Sequence, residues 1–145
     1  MFNHIFILII ILFSTVSCSN EIDPIRFGFD SCDHCKMLIM DPKFGGVILT
    51  KKGKSFKFDD TNCMVSYLKN NIQDENQISS VSTIDYNKPE TLIDATKAVY
   101  ILSTEIKSPM ASGIASFSSH ESLPEFMRQY NGASLTWDAV KPNVK

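Results

Sequence analysis

The chain has 145 residues, 43% of them hydrophobic and 21% charged, an ordinary globular balance for one domain or two very small ones. With 14 basic and 16 acidic residues the formal charge is -2. That composition excludes a disordered polyelectrolyte and supplies no basic field for a phosphate backbone, so nucleic acid is not an expected partner.

Residues 5–13, IFILIIILF, form an apolar run shorter than the ~20 residues a spanning helix needs and match the hydrophobic core of an export signal. The STVSC that follows resembles a bacterial lipobox. Residues 1–17 are therefore expected to be a signal peptide, and Cys18 the acylated first residue of the mature chain. A plain secretory signal or an uncleaved anchor is the competing reading, because Thr15 stands where leucine is usual and no Lys or Arg precedes the apolar run. Acylation would hold the protein at a membrane surface in an oxidising compartment. Residues 18–29, polar and mixed with Pro24 and Gly28, then read as anchor and tether.

A first folded unit is expected over residues 30–87. GVILTKKGKSFKF gives two apolar-rich runs around a Lys-Gly-Lys turn, with Phe56 and Phe58 on one face, a β-hairpin pattern. In DDTNCMVSYLKNNI, Asp59 or Asp60 can cap a helix in which Met64, Tyr67, Leu68 and Ile72 recur at helical spacing. ISSVSTID closes the unit as a strand. Residues 88–145 repeat the order: TKAVYILS and ASGIASFSS read as strands, and SLPEFMRQY as a helix. That helix has a Ser122/Glu125 capping box, Pro124 in its first turn and Gly132 past its end. GASLTWDAV reads as a last strand alternating Leu135, Trp137 and Ala139 with polar neighbours.

Laid over each other without gaps, Phe58, Tyr67, Leu68 and Lys69 meet Phe117, Phe126, Met127 and Arg128. The expected fold class is α+β: two small tandem ββαβ units, divided at DYNKPE and packed on each other because each is too small to bury a core alone. Trp137 is expected to be buried between them.

If Cys18 is acylated, Cys32, Cys35 and Cys63 remain, and an odd number cannot all pair within one chain. The C-x-x-C of Cys32 and Cys35 can hold a metal, close a tight disulfide or act as a redox couple. A structural zinc site needs two further ligands at a recognisable spacing, and the chain offers only His34, His120 and Cys63, which disfavours zinc. Met37, two positions after Cys35, tilts the reading toward copper, because thioether beside thiolate is the soft donor set that selects the monovalent ion. Its bland alternative is core filler, and that alternative is the stronger for Met40. Met110, behind Ser108 and Pro109, reads as an exposed donor in a loop.

His34 either coordinates or faces solvent. Met64 is a candidate donor that also fits the apolar stripe of its helix. Cys63, at a helix start, is either a small core residue or a reactive thiol. His120 reads as a cap-region residue, and His4 would leave with the signal. No nucleophile-base set or paired carboxylates suggest catalysis, so the chain is not expected to be an enzyme. The rival is a thiol-disulfide oxidoreductase using Cys32 and Cys35, but such a motif normally opens a helix, whereas this one precedes the first hairpin. A structural lipoprotein with a plain C-x-x-C staple is the third reading.

CDHCKM, then KGKSFKFDDTNCM, then SPMASGIASF with a late Gly before a Trp, resembles the NosL family of copper-chaperone lipoproteins over essentially the whole mature chain. The resemblance implies a tandem of two ββαβ units and a monovalent copper donor on the periplasmic face of a bacterial membrane. The implied partners are an ABC-type copper assembly and export complex and nitrous oxide reductase. The family's segments land on Cys32, Cys35, Met37 and Met110. The chain departs where glycine is common in the family: Lys36 precedes Met37, and Ala111 follows Met110.

Overall fold

The structure, a computed structural model, describes residues 21–118 and 123–143. The signal peptide, Cys18, His4, His120 and the Ser122 capping box lie outside the described residues.

Strand β1 (Gly46–Thr50) turns through the left-handed Gly53 into β2 (Ser55–Phe58), and the hairpin pairs Ile48 with Phe56 and Gly46 with Phe58. Helix α1 (Thr61–Asn71) follows at once. Asp60 is its N-cap, with a carboxylate oxygen accepting from the Asn62 N–H at 2.8 Å. A single 3₁₀ turn (Glu75–Gln77) leads to β3 (Ile78–Ile84), which pairs with the other edge of β1. Beyond the break at Asn87 to Pro89, the three-residue β4 (Leu92–Asp94) returns to β3, so the first sheet has the order β2-β1-β3-β4.

The second sheet has the order β6-β5-β7, from β5 (Val99–Leu102), β6 (Ile114–Phe117) and β7 (Ala133–Leu135), with helix α2 (Leu123–Gln129) between the last two. Strand, strand, helix and strand thus recur with the first strand central in both sheets, the mixed helix and strand architecture expected. The repeat is visible in side chains. Phe58 meets Tyr67 at 5.1 Å between ring centroids, and the aligned pair Phe117 and Phe126 meets at 4.9 Å.

Two expectations are corrected. GASLTWDAV is not one strand: after β7 the chain turns into helix α3 (Trp137–Asn143), with the Thr136 carbonyl accepting from the N–H groups of Ala139 and Val140. Trp137 and Val140, one helical turn apart, are both buried, whereas a strand would have put Trp137 on one face with the half-buried Ala139. Residues 21–29 are not a free tether either. Lys57 alternates with Phe56 and Phe58, so it leaves the opposite face of β2, where Nζ lies 2.7 Å from Asp30 and 2.8 Å from Asp23. Ile25 and Phe27 pack against the core, laying this segment on the first sheet.

Helix α1 covers the other face of that sheet closely. A Cβ on Gly46 would come within 2.5 Å of the Met64 sulfur and 2.8 Å of the Ser82 carbonyl, so only glycine fits there. One core joins Ile48, Phe58 and Met64 of the first sheet and α1 to Tyr100, Ile114, Trp137 and Val140 of the second. A second cluster takes the far face of β5 and β6, with Val99, Ile101, Ala115 and Phe117 against Leu123 and Phe44. Between the sheets, Ser116 Oγ lies 2.8 Å from Thr83 Oγ1 and donates to the Ile84 carbonyl at 2.7 Å, so these buried hydroxyls are satisfied. No helix among the described residues is long and apolar enough to cross a membrane.

Candidate metal centre

Residues 30–39 form a miniature hairpin closed by a bridge between Ser31 and Leu38. Its tip is a tight turn: Lys36 N–H donates to the Cys32 carbonyl at 2.9 Å, and Cys32 N–H to the Met37 carbonyl at 2.8 Å. The turn requires φ of 67° at Lys36, a left-handed conformation that costs a residue with a Cβ. The loop is fixed to β2 by reciprocal bonds. Asp33 N–H donates to the Lys57 carbonyl and Lys57 N–H to the Asp33 carboxylate, each at 2.7 Å.

This docking sets the C-x-x-C against the corner between β2 and α1. The sulfurs of Cys32, Cys35 and Cys63 and a carboxylate oxygen of Asp59 all lie within 4.8 Å of one another, and all three cysteines are free. Cys32, Cys63 and Asp59 are buried, whereas Cys35 is half-buried with its thiol 3.6 and 3.7 Å from the Asp59 oxygens. The Cys63 thiol donates to the Cys32 sulfur, which also receives the backbone N–H groups of Cys35, Asp59 and His34; together they outweigh burial and hold the Cys32 thiol down to about 6. Cys63 is pushed up by that same bond, then by burial and negative neighbours. Burial pushes Cys35 up.

The methionines divide by position. Met37 is 54% exposed beside Cys35, and Met40 and Leu38 are also exposed on the hairpin. Met110 comes from the other half of the chain, half-buried against the core that contains Cys32 and Cys63. Ala111, directly after it, has φ of 52°, so Lys36 and Ala111 are both left-handed. Met64 is wholly buried with its thioether under Gly46, where it packs the sheet against α1. His34 is exposed and is not one of the clustered donors.

Cys32 and Cys35 are therefore brought together as expected, but Cys63 and Asp59 join them and were not among the expected ligands. Their signal was present: DD-x-x-C places one aspartate at the cap and leaves the other free beside a thiol in the first helical turn.

A family model described as NosL matches residues 28–145. A relative from Stutzerimonas stutzeri, described as copper-binding lipoprotein NosL, is 26% identical over 149 residues, which cover 91% of this chain and 76% of that protein. The crystal structure of the copper chaperone NosL from Shewanella denitrificans superposes with a TM-score of 0.70 at 26% identity, covering 82% of this chain and 94% of the other.

Proposed function

We propose, because the chain belongs to the NosL family, that it carries monovalent copper as cargo and delivers it for assembly of nitrous oxide reductase. The copper position is assigned to Cys35, Met37 and Met110, with Cys32 behind them and His34 on the open side. The observation that carries this reading is the half-buried Cys35 thiol on the same hairpin as the exposed Met37. A donor protein needs soft ligands and an unfinished coordination shell, so that a partner can complete the shell and remove the ion. The relatives described as a copper-binding lipoprotein and a copper chaperone support the same reading.

An ABC-type assembly complex is the partner class, and Cys18 is the lipid anchor at the periplasmic face of a bacterial membrane. The protein acts by binding rather than by catalysis. A thiol-disulfide oxidoreductase has less support, since Cys32 and Cys35 lie in a hairpin turn and not at a helix start.

The test compares Met37→Leu and Met110→Leu with the parent for monovalent copper affinity against a bicinchoninate competitor, and for thermal stability. Each variant is expected to bind copper more weakly while losing less than the ~1.5 kcal/mol of a volume-conserving swap. Parent-like copper affinity in both, with a large loss of stability, makes the methionines packing residues and removes the reading. Cys18→Ala is expected to leave copper binding intact.

A further inference from the structure

We infer that Cys32, Cys35, Cys63 and Asp59 form a second, four-donor position for a divalent thiophilic ion of the zinc class, sharing two thiols with the copper position. The four-donor site stands without the copper position, and only the exclusion between the two ions rests on the proposed function.

The C-x-x-C supplies half of a tetrahedral set, and the corner between β2 and α1 supplies the rest. Zinc with three sulfurs at ~2.3 Å and one oxygen at ~2.1 Å makes a tetrahedron with edges of roughly 3.5–3.8 Å. The four donor atoms already lie within 4.8 Å of one another, so a small contraction closes the shell.

Asp59 discriminates between ions. Its carboxylate is 2% exposed, and its cap-forming neighbour Asp60 leaves it free to face the thiols. A hard oxygen adds little to monovalent copper but is an ordinary ligand for zinc. Charge points the same way. Four deprotonated donors carry four negative charges, and a divalent ion leaves less uncompensated charge in this buried place than a monovalent one.

The surroundings also suit bound thiolates. The N–H groups of His34, Cys35 and Asp59 reach the Cys32 sulfur, and that of Met37 reaches Cys35. Cys63 lies in the first turn of an 11-residue helix, where the aligned peptide dipoles favour negative charge.

Because Cys32 and Cys35 belong to both sets, the two ions exclude each other. Zinc would hold the three thiols reduced until copper arrives. Exchange would run through Cys35, the least buried of the three. Copper bound with Met37 and Met110 would leave Asp59 and Cys63 behind.

The reduced full chain in detergent is titrated with Zn(II) against a chromophoric chelator, and separately with Co(II) as the spectroscopic probe. One Co(II) per chain is expected, with intense thiolate charge transfer and tetrahedral ligand-field bands. Cys63→Ser and Asp59→Asn are each expected to weaken zinc by about tenfold or more, and to weaken zinc more than monovalent copper. Met37→Leu should do the reverse. A weak octahedral Co(II) spectrum, or zinc affinity unchanged in both Cys63→Ser and Asp59→Asn, overturns the inference. The parent's Co(II) spectrum decides even if a variant fails to fold. Zinc uptake intact with no selective copper loss in Met37→Leu would sink the copper assignment alone.

Discussion

The amide of Met110 donates to a carboxylate oxygen of Asp60 at 3.1 Å, while the other oxygen of Asp60 caps helix α1. One wholly buried side chain thus ties the Pro-Met loop to the helix that carries Cys63. Asp60→Asn separates the two roles. Asparagine caps as well as aspartate, but its amide nitrogen faces the Met110 N–H as a second donor. The expected outcome is a folded protein with weakened monovalent copper binding, and no further weakening when Met110→Leu is added. Additive losses in that double-mutant cycle would mean Asp60 acts independently of Met110.

Lys36 and Ala111 both hold left-handed backbone, at φ of 67° and 52°. Such a conformation costs a residue with a Cβ about 1–2 kcal/mol, part of which glycine returns as chain entropy in the unfolded state. Lys36→Gly and Ala111→Gly are each expected to stabilise the fold by about 0.5–1 kcal/mol, read as a raised denaturant midpoint at constant slope. A lowered midpoint in both would show that their side chains hold the loops by contacts that outweigh this strain.

Gly46 is the position where the sheet and α1 come too close for a side chain. Gly46→Ala is expected to cost about 1–3 kcal/mol in chemical denaturation, as overpacked cores do, because the added methyl meets the Ser82 carbonyl, which is backbone, as well as the Met64 thioether. A neutral result would mean that α1 can lift from the sheet without loss.

Asp30 is expected to contribute to the acid limit of stability. Burial pushes its carboxyl up, but bonds from the Arg26 side chain, from Lys57 and from the Arg26 N–H outweigh burial and hold it well below the usual carboxylate range. Its folded-state pKa is depressed, so its contribution is full above the unfolded value of ~3.9 and is lost as pH falls below it. Urea midpoints are expected to drop below about pH 4 in the parent. Asp30→Asn should flatten that limb while lowering stability at neutral pH, and an unchanged acid limb would assign it to other carboxylates.

Much of the fold was legible because its signals are local. The Lys-Gly-Lys turn, the paired aspartates before a 3.6-residue stripe, and the aligned Phe58/Tyr67 and Phe117/Phe126 each describe one element or one strand-helix contact. Helix α3 was hidden because Leu135, Trp137 and Ala139 alternate, while the decisive Trp137/Val140 spacing covers a single turn. Strand β4 is three residues long and follows a proline-containing turn, too short for a period to appear. At the site, the C-x-x-C was readable from spacing. Cys63 fitted the buried stripe equally well, and the choice between Asp59 and Asp60 as cap is made by tertiary contacts with the hairpin and with Met110.

The pairing of Lys57 with Asp23 and Asp30 has a mechanical consequence. If lipid sits on Cys18, only four residues separate the anchor from Asp23, a span of roughly 18 Å at full stretch. The protein is then a head on a short stalk. It can swivel at the bilayer surface but cannot cross the surrounding space, so a recipient must present its own site within a few nanometres of the same membrane.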